Sequence, residues 1–228
     1  ARLLADPVEK VTTTPGQHAS IPLRIHLYGN ARRNSVGLDL SDPLEAQTLL
    51  SALASLQDAV WHVAPIVSGV RVDGVRARIT NPANRDDTVG FVVEALTGDV
   101  ETAIAAAVHA QPIWERAGAR ARASVLERSA DALEAARDRL VSLLVREGGK
   151  TLADAIAEVR EAVDFCRYYA MQAREHCGVV RELAGPTGER NLYSLHGRGA
   201  FVCISPWNFP LAIFVGQITA ALAAGNSV

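Results

Sequence analysis

The chain has 228 residues, of which 49% are hydrophobic and 21% charged, and its formal net charge is −2. That composition is ordinary for a globular chain, and the length suits one large domain or two small ones. A charge this close to zero gives no electrostatic case for nucleic acid or for an anionic membrane surface.

Residues 1–36 are expected to be mostly loop, with breakers at Thr12-Thr13-Thr14-Pro15-Gly16, Ile21-Pro22 and Tyr28-Gly29-Asn30. Residues 1–14 carry Asp6, Glu9 and Lys10 and no apolar core, unlike a secretory leader. The start at Ala1, the single Met (Met171) and the abrupt end at Val228 predict an internal piece of a longer polypeptide.

A first helix is predicted from Pro43 to about Val60, capped by Asp42 or Ser41, with Pro43 in the first turn, where its missing N–H costs nothing. Residues 70–97 read as strands, clearest over Thr88 to Glu94, with a turn at Asn81-Pro82-Ala83-Asn84. Asp99 is expected to cap a helix from Val100 to Ala110. A long helix follows from Ala119 to Glu147, with Leu126, Ala130, Leu133, Leu140 and Leu144 on one face and Gly148-Gly149 as its stop. The next runs from Leu152 to Ala173, with Ile156, Val159, Val163, Cys166 and Ala170 as its apolar stripe and Asp154, Glu158, Glu161 and Arg167 on the wet face. Asp164 is assigned to solvent with them.

Gly185 to Gly188 reads as a loop, Asn191 to His196 as a strand, and Ala200 to Ser205 as a buried strand. Pro210 opens an almost wholly apolar helix that Gly225-Asn226 ends, and Ser227-Val228 begins a further parallel strand. The apolar run Leu211 to Gly225 is shorter than the ~20 residues needed to span a bilayer. This helix is expected to show a large apolar surface, an association hazard.

Strand, turn and helix from Ala200 to Ala224 form half of a βαβ unit, whose ligands sit beyond the carboxyl ends of the strands. Asn208 lies at that end. Its uncharged amide, beside a helix N-terminus, suits a developing oxyanion. Trp207 offers a flat face, and Pro206 and Pro210 stiffen the turn. On spacing alone, Trp207 and Phe209 equally fit packing roles and Asn208 a turn role.

The string Ile204-Ser-Pro-Trp-Asn-Phe-Pro210 resembles the signature of the aldehyde dehydrogenase superfamily. Upstream landmarks agree in order: Asn81-Pro82-Ala83, Asp99-Val-Glu101, Trp114, Arg122, Ala130-Asp131, Glu147 to Thr151, and Glu158-Val-Arg-Glu161 with Asp164-Phe165. The likeness covers about residues 72–228. The implied fold is α/β: the N-terminal part of an aldehyde dehydrogenase fold, a helical segment plus the start of a Rossmann-like NAD-binding domain, incomplete. The first 70 residues, notably Leu4 to Lys10, Leu27 to Ser35 and Gly37 to Leu40, resemble the bridge in bifunctional proline utilization A proteins. Residues 1–70 are then a lead-in following a proline dehydrogenase barrel, and 71–228 the start of the dehydrogenase domain.

The resemblance implies oxidation of L-glutamate γ-semialdehyde (1-pyrroline-5-carboxylate) to glutamate with NAD, in a parent whose barrel uses FAD. It gives Asn208 the oxyanion role, puts Ile204, Ser205, Pro206 and Trp207 against the nicotinamide ribose, and puts Glu161 and Phe165, one helical turn apart, beside the substrate. The family's catalytic Cys and general-base Glu would lie beyond Val228, so the 228 residues alone are expected to be inactive. Small-molecule substrate, barrel and further copies of the chain are the implied partners, with no nucleic acid or membrane. Two other readings stay open: a scaffold for channelling or assembly, and a different aldehyde dehydrogenase subclass.

Several residues invite other readings. Cys166, Cys177 and Cys203 form no CxxC, which favours a reducing, cytoplasmic compartment. Cys203 and Cys166 are expected to be inert core thiols. The six His show no metal spacing, and no metal site is expected. Gly148-Gly149-Lys150-Thr151 looks like the tail of a phosphate loop, but it exits a helix and is read as a stop. The Arg-rich stretch from Arg116 to Arg128 is read as a solvated face.

Overall fold

A computed structural model describes residues 20–228. The readings placed on Leu4 to Lys10, on Thr12 to Gly16 and on the absence of a leader lie outside the described residues. The helices are α1 (Pro43–Ser55), α2 (Thr97–Arg116), α3 (Ala119–Ala135), α4 (Arg137–Arg146), α5 (Leu152–Gln172) and α6 (Ala212–Ala223). The strands are β1 (Trp61–Val63), β2 (Ile66–Val67), β3 (Val70–Arg71), β4 (Arg76–Asn81), β5 (Asn84–Val93), β6 (Arg181–Leu183) and β7 (Asn191–Tyr193).

Strand β5 is the centre of a three-stranded sheet ordered β1-β5-β4. It pairs antiparallel with β4 through the predicted turn at Asn81–Asn84, and parallel with β1, which the pattern of residues 61–63 did not announce. Gly90 makes that parallel pairing close, because a Cβ there would run into the Trp61 carbonyl oxygen. The sheet is tied to the helices through Arg146, whose guanidinium reaches both Asp87 oxygens (2.6 and 3.2 Å) and the Ala59 carbonyl (2.8 Å).

Several predicted boundaries move. Helix α1 stops at Ser55, five residues before Val60; Asp42 caps it by accepting from Leu44 N–H at 2.8 Å. Helix α2 begins at Thr97 and continues past Ala110 to Arg116, carrying Pro112 inside it. Asp99 is therefore not the cap; it sits in the first turn and reaches back to the Leu96 N–H at 2.8 Å. The long helix 119–147 breaks at Ala136 into α3 and α4. The periodic apolar positions persist across the break, which is why the pattern conceals it. Gly149, at φ 64°, ends α4 as expected, and Lys150 N–H closes back on Leu144 C=O at 3.2 Å.

Helix α5 carries the core. Its predicted stripe is buried, and so are two residues assigned to its wet face, Glu158 and Arg167. Asp164 is also drawn in, by the lead-in: it accepts from Ser35 N–H (2.9 Å), Ser35 hydroxyl (2.7 Å) and Arg32 (3.2 Å). Arg167 donates to Asp131 (3.0 Å), Glu134 (2.8 Å) and the Asn34 carbonyl (3.2 Å). Arg122 in α3, also read as solvated, is buried as well.

The run from Ala200 to Ser205 is not a buried strand. Ala200 makes one parallel bridge to Ser227, and the side chains of Val202 and Ile204 stand largely in solvent. The last helix begins at Ala212, two residues after Pro210. It packs on α5 and α3, so the expected apolar exposure falls on Phe214 and on the preceding run rather than on the whole helix.

Burial pushes the Glu134 carboxyl up, but Arg167 and the Val36 N–H outweigh it and hold the group below its ordinary value. A depressed folded-state pKa stabilises the fold above the unfolded value and loses that contribution as pH falls through the folded one. Arg167→Met is expected to destabilise the protein by about 2–3 kcal/mol at neutral pH in urea denaturation. The gap from wild type should narrow below about pH 4.

Candidate active site

Helices α5 and α6 run parallel, and the site forms where α6 begins. Side-chain contacts rise in step along both helices: Glu158 meets Leu211 and Ala212, and Val163 and Cys166 pack near Val215. Farther along, Ala170 and Ala173 pack near Leu222 and Ala223. Phe165 lies over Gly216, where a Cβ would stand 3.1 Å from its ring, and stacks on Tyr169 with centroids 6.1 Å apart.

Helix α6 is apolar around most of its circumference, so its ends must be satisfied from elsewhere. At the N-terminus the buried Glu158 Oε1 accepts from Leu211 N–H (2.8 Å) and Ala212 N–H (3.1 Å). At the C-terminus Trp114 Nε1 donates to Leu222 C=O (2.9 Å), Arg122 Nε to Ala223 C=O (3.1 Å), and Gln111 to Gly225 C=O (3.0 Å). Gly225, at φ 92°, turns the chain, and the buried Asn226 side chain accepts from the N–H groups of Arg198 and Gly199. An anion at the positive end and a cation at the negative end both suit the helix dipole.

Between the Ala200 bridge and α6 lies the turn. Phe209 N–H closes on Pro206 C=O at 3.3 Å. Ile204 and Trp207 are 80% and 88% exposed, Asn208 is exposed, and Ser205 and Pro206 are half-buried. Gln217 Nε2 holds the Ile204 carbonyl at 3.2 Å. A cavity of ≈ 600 Å³ opens beside the turn, lined by Pro82, Leu140, Leu144, Gly148, Trp207 and Leu211 among others. Glu161 is exposed, between the levels of Glu158 and Phe165 along α5. Ile204 to Asn208 thus lie just before α6 in the turn, Phe165 packs against Gly216 within α6, and Glu161 stands exposed on α5.

Two residues that the sequence reading passed over lie under the turn. Lys150 Nζ sits 2.6 Å from Glu158 Oε2 and 4.4 Å from the Phe209 ring centroid. Glu158 stands three residues after Ala155 and four before Ala162, both buried, which puts it on the packed face rather than on the wet face it was assigned. A carboxylate at a stripe position needs a partner, and Lys150 supplies the charge.

Cys203 is half-buried rather than buried; desolvation raises its pKa. Cys166 is in the core, and burial pushes its thiol up to about 11. Neither is an activated nucleophile. Among the described residues no group of three His, Cys, Asp or Glu side chains could hold a metal ion, and no helix is long and apolar enough to cross a membrane.

Residues 71–228 match the Aldehyde dehydrogenase family. The whole chain is similar to the "Bifunctional protein PutA" of Escherichia coli (strain K12), at 46% identity over 233 residues, covering 99% of this chain and 17% of that protein. Among solved structures it resembles proline utilization A from Bdellovibrio bacteriovorus (TM-score 0.83, 33% identity, 99% of this chain and 23% of that one). It also resembles a 1-pyrroline-5-carboxylate dehydrogenase from Thermus with bound NAD (TM-score 0.78, 31% identity, 85% and 38%).

Native protein treated with an alkylating agent near neutral pH should leave Cys166 unmodified, as read by peptide mass analysis.

Proposed function

The chain belongs to the aldehyde dehydrogenase family, and from that premise we propose that it forms part of an NAD-dependent enzyme oxidising L-glutamate γ-semialdehyde (1-pyrroline-5-carboxylate) to L-glutamate. Its described residues adopt part of the family's α/β fold. In this reading residues 1–70 are the lead-in from an FAD-dependent proline dehydrogenase unit, and 71–228 begin the dehydrogenase. The reading is supported chiefly by extent: similarity to PutA runs over 99% of the chain, beyond the 71–228 match, whereas the Thermus dehydrogenase covers 85%. A cytoplasmic, homo-oligomeric parent is part of the same proposal.

The roles follow from the chemistry of the turn. Attack of a thiolate on an aldehyde turns the carbonyl oxygen into an oxyanion, and a donor placed there lowers the barrier. Asn208, exposed and held between Pro206 and Pro210, is proposed to donate from its side-chain amide to that oxygen. The thiolate and the water-activating base come from elsewhere in the polypeptide, so the 228 residues alone are not expected to turn over.

The run before the turn fits a nicotinamide ribose. Its backbone enters only one isolated bridge, and Ile204 and Trp207 present open apolar faces. Ile204, Ser205, Pro206 and Trp207 would form one wall for the cofactor and keep water from it. NAD, when bound, supplies the hydride acceptor. Glu161 and Phe165 are proposed to border the substrate from α5, Glu161 in contact with solvent and Phe165 as an apolar wall.

Asn208→Ala in the intact enzyme is expected to lower kcat by about 10²–10³-fold with a far smaller change in KM, measured as NADH formed from the semialdehyde. A kcat within about twofold of wild type would remove Asn208 from the oxyanion role.

A further inference from the structure

The pair under the turn has no role in the chemistry so far. Glu158 is 1% exposed, and Lys150, at 13%, is partly enclosed. Each end of the pair touches the turn. One carboxylate oxygen receives the N–H groups of Leu211 and Ala212, the first residues past the turn. The ammonium stands against the ring of Phe209, the residue immediately after Asn208. The other carboxylate oxygen lies 2.6 Å from the ammonium, closing the chain of contacts.

A buried ion pair adds little net stability compared with apolar side chains of similar volume. Its distinguishing property here is geometric: Glu158 Oε1 holds the Leu211 and Ala212 N–H groups through directional charge-assisted hydrogen bonds, while the ammonium stands close to Oε2 as a charge without hydrogen-bond alignment. Lys150 follows the left-handed Gly149, and Glu158 lies in the second turn of α5. The turn is thereby referred to two rigid helix ends, α4 and α5.

We propose that Lys150 and Glu158 are positioning residues that fix the turn from Trp207 to Leu211 and, through it, the amide of Asn208. The proposal rests on the reading of Asn208 as the oxyanion donor. A misplacement of about 1 Å in such a donor can cost on the order of 10²-fold in rate without loss of ground-state binding. A purely structural pair would alter stability alone.

The test uses the intact dehydrogenase. Glu158→Ala and Lys150→Met are each expected to lower kcat by about tenfold or more while the KM values for NAD and aldehyde stay within about threefold. Glu158→Gln keeps an acceptor for Leu211 and Ala212, so it should recover most of the kcat lost in Glu158→Ala. Combined with Asn208→Ala, the Glu158→Ala change should cost no further rate, because both act through one amide. In cofactor-free protein, hydrogen exchange over residues 206–213 should quicken by about tenfold in Glu158→Ala and stay unchanged in Asn208→Ala.

Wild-type kcat in a folded Glu158→Ala enzyme, beside a crippled Asn208→Ala enzyme, overturns this proposal alone. Full kcat in Asn208→Ala overturns the oxyanion reading and the proposal with it. Should Glu158→Ala fail to fold, Lys150→Met carries the same outcomes.

Discussion

The structure hangs on an apolar helix that cannot satisfy its own ends. Helix α6 offers almost no polar side chains, yet it is packed between α3 and α5. Its unpaired N–H and C=O groups therefore have to be met by side chains from other elements. Glu158 meets them at one end, and Arg122, Trp114 and Gln111 meet them at the other. Each of these groups would be costly to bury alone. Joined to the helix ends, they become the points that fix the height and rotation of α6.

The segment 32–36 is attached by the same kind of contact, and α5 is again the host. Ser35 and Asn34 are buried against Asp164 and Arg167, and Val36 N–H reaches Glu134 at 2.8 Å. Directional polar bonds, more than apolar area, set its path. Helix α5 thus presents a carboxylate to α6 near one end and an ion network to the lead-in farther along. This explains why a helix read as amphipathic carries charge on both sides.

Local signals survived into the structure where backbone chemistry alone decides. The Asn81–Asn84 turn, the Asp42 cap, the Gly149 and Gly225 stops and the α5 stripe all depend on residues close in sequence. What failed depends on distant partners. Glu158, Arg122 and Arg167 look like solvated charges until α6 and the lead-in arrive to pair with them. The break at Ala136 hides because its two flanking helices keep one apolar phase. The Ala200–Ser205 run reads as a buried strand because its residues are apolar, but among the described residues it is paired through the single Ala200–Ser227 bridge. The Trp-Asn-Phe-Pro string is legible as a family likeness, whereas the place of Lys150 beneath it depends on Glu158 and Phe209, which are distant in sequence.

The occupied N-terminus of α6 bears on how the turn can work. A free helix start is a ready anion site, since its N–H groups and dipole both favour negative charge. Here the first two such groups are already taken by the Glu158 carboxylate, and Lys150 balances that charge from behind. An oxyanion or phosphate arriving at the turn meets a helix end that is already neutralised. Among the exposed donors that the turn carries is the side-chain amide of Asn208. An uncharged amide on a braced turn can bond a transient negative oxygen without holding a resident anion at the helix end. In the proposed reading, the anchoring carboxylate therefore does two things at once: it steadies the turn, and it leaves anion recognition to donors that the turn carries outward, with Asn208 among them.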